Sequence, residues 1–288
     1  MKGLAAGLAV FLLAAAAGAR PEEPFAPKGS YNNSVHRFFP DLDARLNAVR
    51  YGRWRALEIA WTSGINRRLD QQFSSYLLSL LADPPRYAPE ADRVAPRFAR
   101  EAAPVFRAMR WGQVFEQQVL DILASSDASP KLSRDRLNRV LDLYRRERWA
   151  LSEPPDVRSI ELLSAAAPVS ARILSAGTRL FATTAEDLAA SDFGQQRWRV
   201  RQTVADFDRS YAADRPPQDP AYRVAAPGIV ERYSPVAAQL DRIAQFRAEI
   251  FEALLGGGAT ADARRLRDAR VVEVARRYRI PAEAIGGR

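Results

Sequence analysis

Apolar residues recur at helical spacing through most of this chain. Leu42, Leu46, Val49, Leu57 and Trp61 fall near one stripe and predict a helix capped by Asp41. Leu69, Phe73, Leu77, Leu80 and Leu81 predict a second over about 67–82, stopped by Asp83-Pro84-Pro85. A third covers roughly 97–124, with Phe98, Val105, Phe106, Met109, Val119, Ile122 and Leu123, and Pro104 kinks it or marks its true start. Ser133 opens a fourth to about 150, with Leu137, Leu141 and Tyr144 inward. Ser152-Glu153-Pro154-Pro155 then breaks the chain.

Short helices follow at about 157–166 and 169–182. Thr183 and Glu186 have capping-box spacing, which predicts a long helix over 184–212. Residues 213–234 hold proline and glycine without a period and read as irregular. Ser234-Pro235 combines a cap with proline in the first helical turn. That helix ends at Leu254-Leu255 before Gly256-Gly257-Gly258, a helix stop, and a basic helix fills about 261–279. No segment alternates at period two with Val, Ile and Thr enrichment. The pattern predicts an all-α protein, an irregular multi-helix bundle. A break near 152–156 would divide it into helical halves at 41–152 and 156–288; one continuous domain is the equal alternative.

The first 40 residues depart from this periodicity. Residues 1–19 place one lysine before an apolar run ending Ala17-Gly18-Ala19, the form of a cleaved export signal. A retained anchor is the other reading, since the run is near the lower limit of roughly 17 residues for a bilayer span. Residues 20–40 mix proline, glycine and asparagine and predict an extended tether or strap over the domain. The expected location is periplasmic or extracellular, membrane-associated if the segment is retained.

Composition narrows the chemistry more than any motif. The chain has no cysteine and one histidine, His36. Thiol nucleophiles, iron–sulfur ligation and covalent c-type haem are excluded, and no disulfide can form. One imidazole with carboxylates is a poor zinc set. His36 reads as a strap residue beside the anchoring Phe38 and Phe39. No nucleotide-binding glycine motif and no nucleophile elbow are present. No cofactor and no metal are expected.

The formal charge is +9, from 43 Lys+Arg of which Lys2, Lys28 and Lys131 alone are lysine. The basic residues are spread and interleaved with acids, which reads first as codon bias and second as affinity for an anionic surface. With an export signal, nucleic acid is not an expected partner.

Two constellations remain. Glu58, Glu116, Glu186, Asp187, Glu249 and Glu252 lie on predicted helices, and paired carboxylates suffice for glycan hydrolysis. The spacing of Glu249 and Glu252 otherwise reads as a solvated face. All five tryptophans fall on predicted helices, and arginine-flanked clusters among them include Arg53-Trp54-Arg55, Arg110-Trp111 and Arg197-Trp198-Arg199-Val200-Arg201. Such clusters serve core edges with arginines reaching outward, or partner contacts. The preferred contact candidates are Arg197, Trp198, Arg199 and Arg201, then Arg53, Trp54 and Arg55.

Leu46-Asn47-Ala48-Val49-Arg50-Tyr51-Gly52 and the stretch from Trp111 to Ala124, with Gln117, Gln118 and Asp121 inside it, resemble blocks in an uncharacterised family of exported all-helical bacterial proteins. The resemblance covers about 41–150. It implies relatives with histidines near the positions of Arg53, Gln113 and Glu116, so that this chain has lost potential metal or haem ligands while keeping the scaffold. It carries no activity. The expectation is an exported, non-enzymatic interaction protein, an accessory or structural subunit of a periplasmic or membrane-associated complex. The alternatives are a carboxylate-based cell-wall glycan hydrolase and a binder of anionic glycan or lipid.

Overall fold

The computed structural model describes residues 28–126, 129–154, 161–189, 193–212, 226–255, 260–282 and 285. The predicted signal at 1–19, the first part of the tether and Gly256 to Gly258 lie outside the described residues. The fold is an all-α multi-helix bundle, and no described helix is long and apolar enough to cross a membrane.

The centre of the bundle is α2 (Pro40–Ser63), which packs against α1 (Ser34–Phe38), α3 (Arg67–Ala82), α4 (Ala91–Val94), α5 (Pro96–Glu101), α9 (Pro168–Ala189), α10 (Phe193–Ala212) and α11 (Pro227–Leu254). The five apolar positions read as its stripe are all buried. So are Arg50 and Arg53, which fall within that stripe, and Asn47 and Glu58, which lie off it. A helix with neighbours on several sides buries more than one face, although Arg55 stays exposed. Periodicity alone therefore underestimated its enclosure. Asp41 is not its cap: Pro40 occupies the first turn and Phe39 precedes it. The helix stops at Gly64, whose φ of 74° and ψ of 157° suit glycine.

The remaining helices differ from expectation mainly at their ends. Pro104 lies in the first turn of α6 (Ala103–Leu123), so it marks a start. The fourth helix, α7 (Pro130–Arg146), begins earlier than predicted, with the Ser129 side chain accepting from the Leu132 amide. Ser133 is buried inside it. After the short α8 (Glu161–Ala166), Thr183 and Glu186 are interior to α9, which continues to Ala189; a separate helix, α10, follows. The capping-box spacing was coincidental, because Glu186 is used elsewhere.

Helix α11 begins at Pro227, ahead of the predicted start. It kinks at Tyr233 (φ −139°, ψ 44°), immediately before Ser234-Pro235, so the predicted cap and proline mark a bend. Thr260 caps α12 (Ala261–Arg277), and Ile280, Ala282 and Ile285 beyond it are buried against the core.

The strap is not extended where it is described. Residues 30–33 form a turn, Asn33 takes φ 64°, and α1 follows. Phe39 is buried, Phe38 is packed at the core edge, and His36 Nδ1 lies 2.9 Å from Asp43 Oδ2. The anchoring role read for the two phenylalanines fits this packing; the extended backbone does not, because a turn lets the Asn33 and Val35 amides reach Asp121.

One hydrophobic cluster joins residues on both sides of 152–156. Helices α2 and α6 pack on α9 and α11, and α7 packs on α11. The two predicted halves share this core.

Candidate functional site

Helix α10 presents two unlike sides. Val200, Thr203, Val204, Phe207 and Tyr211, at helical spacing, are buried, and the rings of Phe207 and Tyr211 stack at 4.9 Å. On the other side Arg197, Trp198, Arg199 and Arg201 are exposed, Trp198 to 64%. Most of an indole in water is unfavourable by its area, which makes this residue unlike the chain's other described tryptophans.

Beside this face runs a groove of about 320 Å³ between α10 and the start of α2. Phe38, Phe39 and Pro40 form its apolar wall, and Arg197, Arg201 and Ala205 face them. Arg45 spans the helices with a two-pronged bond to Asp208, at 3.1 and 2.8 Å. That bond is the leading reason the Arg45 guanidinium is held above its usual value. It fixes α10 against α2 and uses the Asp208 charge.

The second predicted contact cluster is not a surface. Arg53 and Trp54 are buried, and the Trp54 indole N–H donates to Gln113 Oε1 at 3.1 Å beside the Phe106 ring. Arg55 alone of the three is exposed. It lines a cleft of about 580 Å³ with Glu58, Gln72, Phe73, Tyr76 and Arg97. The cause is the enclosure of α2: successive residues diverge by about 100°, yet both directions meet neighbouring helices.

The other tryptophans are structural. Trp61 donates to Glu101 at 2.9 Å with the Arg267 guanidinium 3.8 Å from its ring centre. Trp111 donates to the Tyr144 carbonyl at 3.0 Å and stacks on its ring. Trp149 is not helical; α7 ends at Arg146, and the indole sits in the following turn between Arg107 and Arg148.

The carboxylates considered for hydrolysis have other partners. Glu58 on α2 accepts from the Arg97 and Phe98 amides at the start of α5, at 3.1 and 3.0 Å. Glu186 on α9 accepts from the Gly228 amide of α11 at 2.8 Å. Asp187 accepts from the Thr203 hydroxyl at 2.7 Å, while burial raises its pKa. Burial also raises Glu252. Glu249 is buried, not solvated: it takes the Tyr278 hydroxyl at 2.9 Å, the Gln245 amide at 3.2 Å and the Arg277 guanidinium. The 580 Å³ cleft has a single carboxylate in its lining, Glu58, already directed at α5. Two carboxyls facing across a cleft, as glycan hydrolysis needs, do not occur there.

Sequence reasoning missed a buried arginine cluster. Arg50 and Arg53 from α2 and Arg247 from α11 surround Glu116 of α6. Arg247 grips both Glu116 oxygens, Nη2 to Oε2 at 2.7 Å. Arg50 donates to Asn47 Oδ1 at 3.0 Å and to Gln117. Burial alone would raise the Glu116 carboxyl, but Arg247, Arg53 and Arg50 outweigh it and hold the group below its usual value. Arg50 and Arg53 carried a signal, lying three apart on one helix, yet arginine was read as reaching outward.

Among the described residues there is no group of three or more His, Cys, Asp or Glu that could hold a metal ion. Comparison of the chain with protein-family models, curated proteins and solved structures returned no match.

Proposed function

We propose that this chain is an exported, non-enzymatic helical interaction protein, an accessory subunit that docks on an acidic face of a partner in a periplasmic or membrane-bound assembly. The observation that carries the reading is Trp198, 64% exposed among Arg197, Arg199 and Arg201 on a helix whose other side is locked into the core. Tryptophan and arginine dominate the energetic centres of interfaces. Guanidiniums around an indole complement a surface rich in carboxylates. The adjacent groove offers an apolar wall for a side chain of the partner.

The test is native separation of the tagged full chain, extracted from its own membranes under mild detergent. The wild type migrates within a larger assembly. Trp198→Ala weakens that association about 30-fold, corresponding to roughly 2 kcal/mol for an interface centre. A wild type that always migrates as a free monomer overturns the proposal. So does a W198A/R201E variant that stays in the assembly like the wild type. Retention on anionic vesicles that disappears at high salt would instead favour the lipid-binding alternative.

A further inference from the structure

The buried arginine cluster has a charge excess at a defined void. Arg50, Arg53, Glu116, Gly177 and Arg247 line a space of about 20 Å³ between α2, α6, α9 and α11. Three guanidiniums meet one carboxylate, and Glu116 gives both oxygens to Arg247. Arg50 is held by the amide oxygens of Asn47 and Gln117. Asp43 and Asp121 act on Arg50 from further away, and each is engaged elsewhere: Asp43 by His36 and Asn47, Asp121 by the Asn33 and Val35 amides.

Arg53 differs. It is 6% exposed, and its Nε has no hydrogen-bond partner among the described residues. A guanidinium stays ionised in proteins, and leaving one of its donors buried and unpaired is unfavourable. Gly177 lets α9 approach α2 closely at the edge of this space: a Cβ there would lie 3.1 Å from Arg53 Nη2 and 2.6 Å from Val49 Cγ1. A space of this size exceeds the ~10–15 Å³ needed for one small occupant. A water would satisfy the Nε donor without offsetting the charge; a small anion does both.

We propose that this void is a binding site for a small monovalent inorganic anion of halide size, held by Arg53 with Arg50 and Arg247. In keeping with this, burial first, and then the charges of Arg247 and Arg50, press the Arg53 guanidinium below its ordinary value, while Glu116 opposes them. A bound anion adds to the effect of Glu116 and relieves the repulsion.

The experiment is thermal unfolding of the purified full chain in sodium gluconate, titrated with sodium chloride at constant ionic strength. The midpoint rises and follows the logarithm of chloride above saturation, by roughly 5 °C at a hundredfold excess over Kd. Arg53→Met removes the chloride-dependent rise. A midpoint equal in gluconate and chloride overturns the proposal, as does an Arg53→Met protein that keeps the wild-type response. Crystals of the wild type soaked in bromide decide the matter independently of that variant's folding. An anomalous peak within hydrogen-bonding distance of Arg53 Nε supports the site, and its absence there refutes it.

Discussion

The carboxylate of Asp70, on α3, closes the N-terminus of α9: its two oxygens accept the amides of Val169 and Ser170 at 2.7 and 3.0 Å, and the Ser170 hydroxyl at 2.8 Å. A buried negative charge placed on the exposed amides of a helix start is favoured by both hydrogen bonding and the helix dipole. Asp70→Asn keeps the shape but supplies one acceptor oxygen and no charge. It lowers the unfolding free energy by about 1.5–3 kcal/mol, measured by urea titration with circular dichroism.

Glu116 and Arg247 form a buried pair with much to lose from a single substitution. Glu116→Gln leaves three guanidiniums without a carboxylate and costs about 3–5 kcal/mol. Replacing both partners, Glu116→Gln with Arg247→Met, costs less than the sum of the two single changes, which a double-mutant cycle reads directly.

The same carboxylate makes a pH prediction. Its folded pKa is lowered, so the unfolded chain binds the proton more readily. The stabilisation is complete above the unfolded glutamate value of about 4.3 and fades as pH falls through the lower folded value. Between about pH 5 and pH 2 the wild type therefore loses more stability than Glu116→Gln. Parallel urea midpoints across that range check it, and parallel curves would refute it.

Gly177→Ala tests the close approach of α9 to α2. In an open helix the change gains up to about 1 kcal/mol. Here the new methyl meets Val49 Cγ1 at 2.6 Å. Crowding dominates, and the protein loses about 1–3 kcal/mol. A higher melting temperature in the variant would show that the helices can separate at little cost.

Trp198 and Trp54 should answer truncation in opposite ways. Trp198→Ala stays within about 0.5 kcal/mol of the wild type and removes the most red-shifted part of the tryptophan emission. Trp54→Ala, which empties a 1%-exposed site, costs about 3–5 kcal/mol. Fluorescence spectra with thermal melts on both variants distinguish them.

Helix positions were legible because apolar spacing survives wherever a helix has one dry side. The stripe of α7, Leu137, Leu141 and Tyr144, is buried as read. Ends were less legible. Glu186 looked like half of a local capping box, yet its partner is the Gly228 amide. Of the candidate site, the exposed side of α10 was readable from dense arginine around one indole. The Arg53-Trp54-Arg55 cluster looked equivalent, and composition cannot tell that α2 lies at the centre of the bundle. The Arg50–Arg53–Glu116–Arg247 grouping joins positions from three helices, and no sequence spacing announces it.

The carboxylates that close other helices' ends have a kinetic and thermodynamic corollary. Asp121 serves α1, Glu58 serves α5, Asp70 serves α9 and Glu186 serves α11. A helix as short as α5, six residues, lies below the length at which a peptide is helical in water, roughly 12–15 residues. It persists as long as α2 is in place beneath it. An excised piece would therefore lack the groups that finish its own helices, and heating meets a single concerted transition in place of helix-by-helix fraying.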